Sequence, residues 1–268
     1  MKPFYLLLAF FAATFSNPLP QGQAIFGGSD VSPGQFPFFA HLSFNFNDGS
    51  SKVCSGSLIT EKHILTAAHC CQGAFKDGKA VLGLTDSAKL DVPGVQDGKI
   101  VKCTANPKFG ANGANGFVHD VAVVELENPL QLTDSVQVVK IPNRDFFVSF
   151  NAPVPKASVV GFDASGNSTS LQFARVNFAN IFTCEIQYET HNAAIDKDMI
   201  CLARPNKGIS KGDDGGPNVV TWKRVVYQMG VNSFFAADLP SVSARTSQYC
   251  DFIRATVGNV FECADFKP

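Results

Sequence analysis

The stretch Asp120-Val-Ala-Val-Val-Glu-Leu126 (DVAVVEL) sets the fold class. Its core, Val121–Leu126, is short and β-branched, which suits a strand better than a helix, and Ala157–Phe162 (ASVVGF) has the same character. Twenty-two glycines and 15 prolines punctuate runs of this kind along the chain. Short strands with frequent turn signals predict an all-β barrel or sandwich. Between the two quoted runs, Glu127–Arg144 (ENPLQLTDSVQVVKIPNR) is polar and proline-bounded and reads as a strap joining two halves. One helix is expected, near the end. There Tyr249, Phe252, Ile253 and Val257 share a face of SQYCDFIRATV, and Ser247 is placed to cap it.

At the other end, Lys2 precedes the apolar run Phe4–Phe15 (FYLLLAFFAATF), too short to span a bilayer and right for a signal-peptide core. Residues 1–24 are the expected leader. Cleavage after Ser16, with Thr14 at minus three, leaves a short pro-segment 17–24; cleavage after Ala24, with Gly22 at minus three, starts the mature chain at Ile25. Eight cysteines, an even number, fit a disulfide framework in a secreted, extracellular chain. The 268 residues carry 22 basic and 23 acidic side chains, a formal charge of −1. No basic surplus marks nucleic acid or an anionic membrane as a partner. With 45% hydrophobic and 17% charged residues the chain is too apolar to be disordered. Asn167-Ser168-Thr169 is a candidate glycosylation site in a loop.

Four separated motifs then line up in order. Ile25-Phe26-Gly27-Gly28 resembles the mature N-terminus of a chymotrypsin/trypsin-like serine protease. Cys54-Ser-Gly-Ser-Leu-Ile, followed by Leu65-Thr-Ala-Ala-His69-Cys70, resembles that family's histidine block, and Asp120–Leu126 its aspartate block. Gly212-Asp213-Asp214-Gly215-Gly216-Pro217 resembles the nucleophile block, which the family writes Gly-Asp-Ser-Gly-Gly-Pro. The resemblance implies two six-stranded antiparallel β-barrels with a C-terminal helix. The domain would run over 25–268, with an N-terminal barrel at about 25–140, a second at about 141–268 and the site in the cleft between them. It implies His69 as general base, Asp120 as its orienting carboxylate, and the N–H groups of Gly212 and Asp214 as the oxyanion hole. A freed Ile25 ammonium would pair with Asp213.

The same resemblance pairs Cys54 with Cys70 and Cys184 with Cys201. Proximity in sequence suggests Cys71–Cys103 and Cys250–Cys263 for the rest, although sequence alone does not fix connectivity. Ser210, and Ala236 or Ala237, stand where the family has a further cysteine pair. The position heading the specificity pocket is Gly208, where trypsin-like members have an aspartate, and Ser241 replaces a deeper glycine. Phe234 and Phe235 stand where Trp-Gly is usual, so the Phe235 ring is expected to close part of the pocket. Asp163 adds negative charge to the activation region.

The nucleophile position is the departure that matters. Asp214 occupies it, and no serine lies beside it. Attack by a carboxylate on an amide gives a mixed anhydride while expelling a poor leaving group. A permanent negative charge beside an oxyanion hole also opposes the charge that the hole exists to stabilise. Loss of the serine from such a triad lowers turnover by about 10⁶. The leading expectation is therefore a catalytically inactive, monomeric serine protease homologue that binds extracellular proteins as cofactor, decoy or regulator, without a cofactor or metal of its own. The alternative is an active secreted endopeptidase, digestive in role. A third idea, a metal held by Asp214, His69 and Asp120, ranks below both, because Asp120 is expected behind His69 rather than converging with Asp214.

Overall fold

The computed structural model describes residue 25 and residues 27–267, apart from 111–116, 146–154, 163–168, 192, 204–206, 211 and 237. The leader 1–24, Asp163, Asn167 and Ala237 lie outside the described residues. A short β1 (Ser29–Asp30) precedes six strands that form the first barrel: β2 (Phe39–Phe46), β3 (Ser51–Thr60), β4 (His63–Thr66), β5 (Phe75–Leu82), β6 (Gln96–Ala105) and β7 (Ala122–Leu126). They close in the order β2-β3-β4-β7-β6-β5. The second barrel holds β8 (Ala157–Gly161), β9 (Gln172–Phe178), β10 (Met199–Ala203), β11 (Pro217–Trp222), β12 (Val225–Phe234) and β13 (Ser241–Arg245). Its order is β9-β10-β13-β12-β11-β8, and pairing of β8 with β9 closes the ring. Both runs that opened the sequence reading are strands, one in each barrel.

Burial explains why these segments are strands. β2 alternates, with Leu42, Phe44 and Phe46 turned inward. β3 begins exposed and then buries every residue from Cys54 to Thr60, because its outer face meets the second barrel. The polar residues on that face are paired. Ser57 donates to the Gln228 side chain at 2.5 Å, and the Ser55 N–H donates to the Asp214 carbonyl at 2.8 Å.

The two ends of the chain cross over. β1 pairs with β9, so the segment before β2 packs on the second barrel. Helix α2 (Cys250–Val257), at the far end, places Tyr249, Ile253, Val257 and Phe261 in the core of the first. The segment 127–144 has no strand of its own. It follows the first barrel through Leu130 N–H to Glu61 O and Val139 N–H to Leu58 O. It then reaches the second through bridges Lys140–Tyr227 and Pro142–Ala264. Next to it, Arg245 forks onto the buried Asp145 at 2.5 and 2.6 Å.

Two local expectations are corrected. Ser247 does not cap the last helix; it donates to Asp145 at 2.6 Å from a 3₁₀ turn over Thr246–Tyr249 that leads into α2. A second helix, α1 (Ile181–Glu189), joins the one helix expected near the end. The Asn180 side chain caps it by accepting the Phe182 and Thr183 N–H groups at 2.9 and 3.2 Å. The disulfides are Cys54–Cys70, Cys71–Cys103, Cys184–Cys201 and Cys250–Cys263, and no described cysteine is free. No helix of the described residues is long and apolar enough to cross a membrane.

Candidate functional site

The cleft between the barrels gathers residues far apart in sequence. His69 sits on a 3₁₀ turn, Ala68–Cys71, that follows β4 and is pinned to β3 by Cys54–Cys70. Asp120 precedes β7, the strand beside β4, so pairing of Thr66 with Ala122 carries the two residues together. Asp120 grips His69 twice, accepting its backbone N–H at 2.8 Å and meeting its Nδ1 at 2.7 Å. A ring that gives its Nδ1 proton to a carboxylate turns the Nε2 lone pair toward the cleft. Asp120 is almost wholly buried, and a third donor completes its shell: the Ser233 hydroxyl at 2.5 Å.

Ser233 was not singled out from sequence, and its aim depends on a bulge. Asn232 pairs with Ser243 and Phe234 with Val242, so Ser233 is an extra residue in β12 and its side chain is redirected to Asp120. Lys52 was missed as well. From β3 it donates its ammonium to the His69 carbonyl at 2.9 Å. Burial lowers the Lys52 ammonium from the ordinary lysine value, and the charges of Asp214 and Asp120 work against that fall.

Asp214 enters from the loop before β11. Its carbonyl is held by Ser55 N–H, and the next residue, Gly215, donates to the Asn232 carbonyl at 2.8 Å. Gly215 has φ +78°, and a Cβ there would run into Thr66 and the Ser55 carbonyl, so only glycine fits this approach of the loop to the first barrel. The Asp214 carboxylate comes to 3.9 Å from His69 Nε2, too far for a hydrogen bond, with 26% of its side chain open to solvent. Burial raises its carboxyl above the ordinary carboxylate value. The His69 and Lys52 charges and the Gly212 N–H directed at it favour the ionised form, and the Asp120 charge opposes it.

The remaining predicted residues fall around this loop. Asp213 is fully buried and accepts Ser210 N–H at 2.7 Å, with its carboxylate against Gly161. Ile25 is also fully buried, packed with Val159, Ile200 and Leu202 of the second barrel. The Ser241 hydroxyl is tied to the Leu202 carbonyl at 3.2 Å. Among the described residues nothing lies within 4 Å of a Cβ built on Gly208, and Phe235 is 42% exposed. It is Phe234 that packs inward, against Phe117 at 5.3 Å and Tyr188 at 5.5 Å, and Phe117 in turn stands edge-on to the His69 ring at 5.5 Å.

Metal ligation is poorly served here. Among the described residues the one group of close donor atoms is Cys54, Cys70 and His69, and a disulfide holds both sulfurs. Asp120 spends its oxygens on His69 and Ser233, away from Asp214.

Residues 25–253, spanning both barrels and this cleft, match the Trypsin family. The chain belongs to the trypsin family. Among curated trypsin-family relatives, CLIP domain-containing serine protease B9 of Anopheles gambiae is 28% identical over 88% of this chain, which spans 64% of that protein's length. Coagulation factor IX of Cavia porcellus is 29% identical over 82% of this chain and 75% of its own length. Phenoloxidase-activating factor 3 of Holotrichia diomphalia is 27% identical over 87% of this chain and 72% of its own.

Proposed function

We propose that this trypsin-family chain is a secreted protein that does not hydrolyse peptide bonds and acts by binding other extracellular proteins through its cleft. The observation that carries the reading is the Asp214 carboxylate, 3.9 Å from His69 Nε2 and facing the Gly212 N–H. A developing oxyanion needs that N–H and needs a cleft free of competing negative charge. Asp214 takes the first and violates the second. Among the described residues no hydroxyl or thiol lies within hydrogen-bond reach of His69 Nε2, and a carboxylate is a poor nucleophile toward an amide. Four disulfides and the apolar leader favour an oxidising, extracellular setting. The names of two relatives, a coagulation factor and an activating factor, favour protein partners in a regulatory role.

The alternative, a working endopeptidase, draws support from the His69–Asp120–Ser233 network, in which Asp120 accepts all three hydrogen bonds. Hydrolysis of a broad fluorogenic peptide library separates the two. The natural protein is expected to be silent, while Asp214→Ser gains turnover. Turnover by the natural protein that survives repurification and is lost in His69→Ala overturns the proposal.

A further inference from the structure

Among the described residues, no cationic side chain meets the Asp214 carboxylate at hydrogen-bond distance. Its nearest ion-pair neighbour among those residues, His69 Nε2, stands at 3.9 Å, and that ring already serves Asp120 through its other nitrogen. Lys52, whose charge interacts with that of Asp214, spends a hydrogen bond on the His69 carbonyl. A quarter of the Asp214 side chain faces the open cleft. Alongside runs an aromatic wall, His69–Phe117–Phe234, with ring centroids 5.5 and 5.3 Å apart. Phe235 adds an exposed ring next in sequence.

Each class of occupant meets this surface differently. An anion is repelled by Asp214. A neutral apolar side chain covers the wall but strips water from a carboxylate without replacing it. A cation on a long apolar stem satisfies both, with the stem on the rings and the head on the carboxylate. A guanidinium does so better than an ammonium, because its planar fork pairs with both carboxylate oxygens and it stacks on aromatic faces.

We infer that the cleft is a receptor site for an arginine side chain of a partner protein, bound between the Asp214 carboxylate and the Phe117–Phe234 wall rather than beside Gly208. The inference rests on the non-catalytic reading above and names the chemistry of its partner. The outward charge of Asp214, which is adverse to catalysis, becomes the recognition element.

The test is titration of the natural protein, followed by NMR, with N-acetyl-arginine methylamide and its neutral isostere N-acetyl-citrulline methylamide. The arginine compound is expected to bind at least tenfold more tightly, with the preference shrinking as salt is raised. Asp214→Asn should erase the preference, and Phe117→Leu should weaken arginine binding severalfold. Lys52→Met, which removes a competing cation, should strengthen it. Equal binding of the two compounds, or a preference that survives Asp214→Asn in a protein with a normal melting transition, overturns the inference. Release of methylamine in the same tubes would instead overturn the non-catalytic reading, so the two failures are told apart.

Discussion

On one wall of the cleft, Asp120 accepts three hydrogen bonds, two from His69 and one from Ser233, and is closed to water. On the other, Asp214 faces His69 at 3.9 Å and remains a quarter open. Both are aspartates within one small volume. The first is wrapped by donors that fit it; the second has no cationic side chain at hydrogen-bond distance among the described residues. The difference teaches that the scaffold around the histidine keeps its full set of interactions while the nucleophile loop keeps its path and changes its chemistry. Where hydrogen bonds saturate a buried charge, removing it is destabilising; where they do not, removing it is favourable.

Three substitutions test this contrast. Asp120→Ala leaves the His69 N–H, its ring and the Ser233 hydroxyl buried without an acceptor, and should lower stability by about 3–5 kcal/mol, read from urea denaturation. A change smaller than that of a typical surface variant would mean the first wall is no better satisfied than the second. Gly161→Ala probes the base of the nucleophile loop, where a Cβ would overlap the Asp213 carboxylate. A loss of about 1–3 kcal/mol is expected from such overpacking, measured as a fall in Tm. A neutral result would show that Asp213 is free to move.

The smallest effect has the opposite sign. Asp214 has its carboxyl raised by burial, against the His69 and Lys52 charges and the Gly212 N–H and with the Asp120 charge. The neutral form is thus the better tolerated one in the fold. Its contribution is fully present below the ordinary carboxylate value of 3.8 and is lost as pH rises through the raised value. Asp214→Asn should therefore melt at a higher temperature than the natural protein at pH 7, with the gap closing as the solution is acidified. A gap that persists at pH 3.5 would trace to packing rather than charge.

Legibility in the sequence followed the distance over which each signal acts. The strand class of Val121–Leu126 and Ala157–Phe162 needs only β-branched composition and flanking turns, and both are strands. The family's linear motifs carry His69, Asp120 and the glycines of the nucleophile loop. α1 was hidden because its apolar residues do not form one face: Cys184 and Tyr188 are buried, while Phe182 and Ile186 point to solvent. Its clearest local sign is Asn180, a capping residue just ahead of it. Ser247 has the right type and place for a cap, yet a buried aspartate 102 residues away claims its hydroxyl.

By itself the sequence determined that the chain is built of short strands, that it carries the trypsin-family motifs in order, and that a carboxylate stands where those motifs have a hydroxyl. These are properties of neighbouring residues, and covalent order preserves them. Only the tertiary structure decided that Ser233 completes the shell of Asp120, that Lys52 reaches the His69 carbonyl, and that Phe117 stands between the His69 ring and Phe234. Those contacts depend on a one-residue bulge in β12 and on the seating of one barrel against the other. Registers and packing of that kind are set by the sum of many buried contacts, and no single stretch of the chain records them.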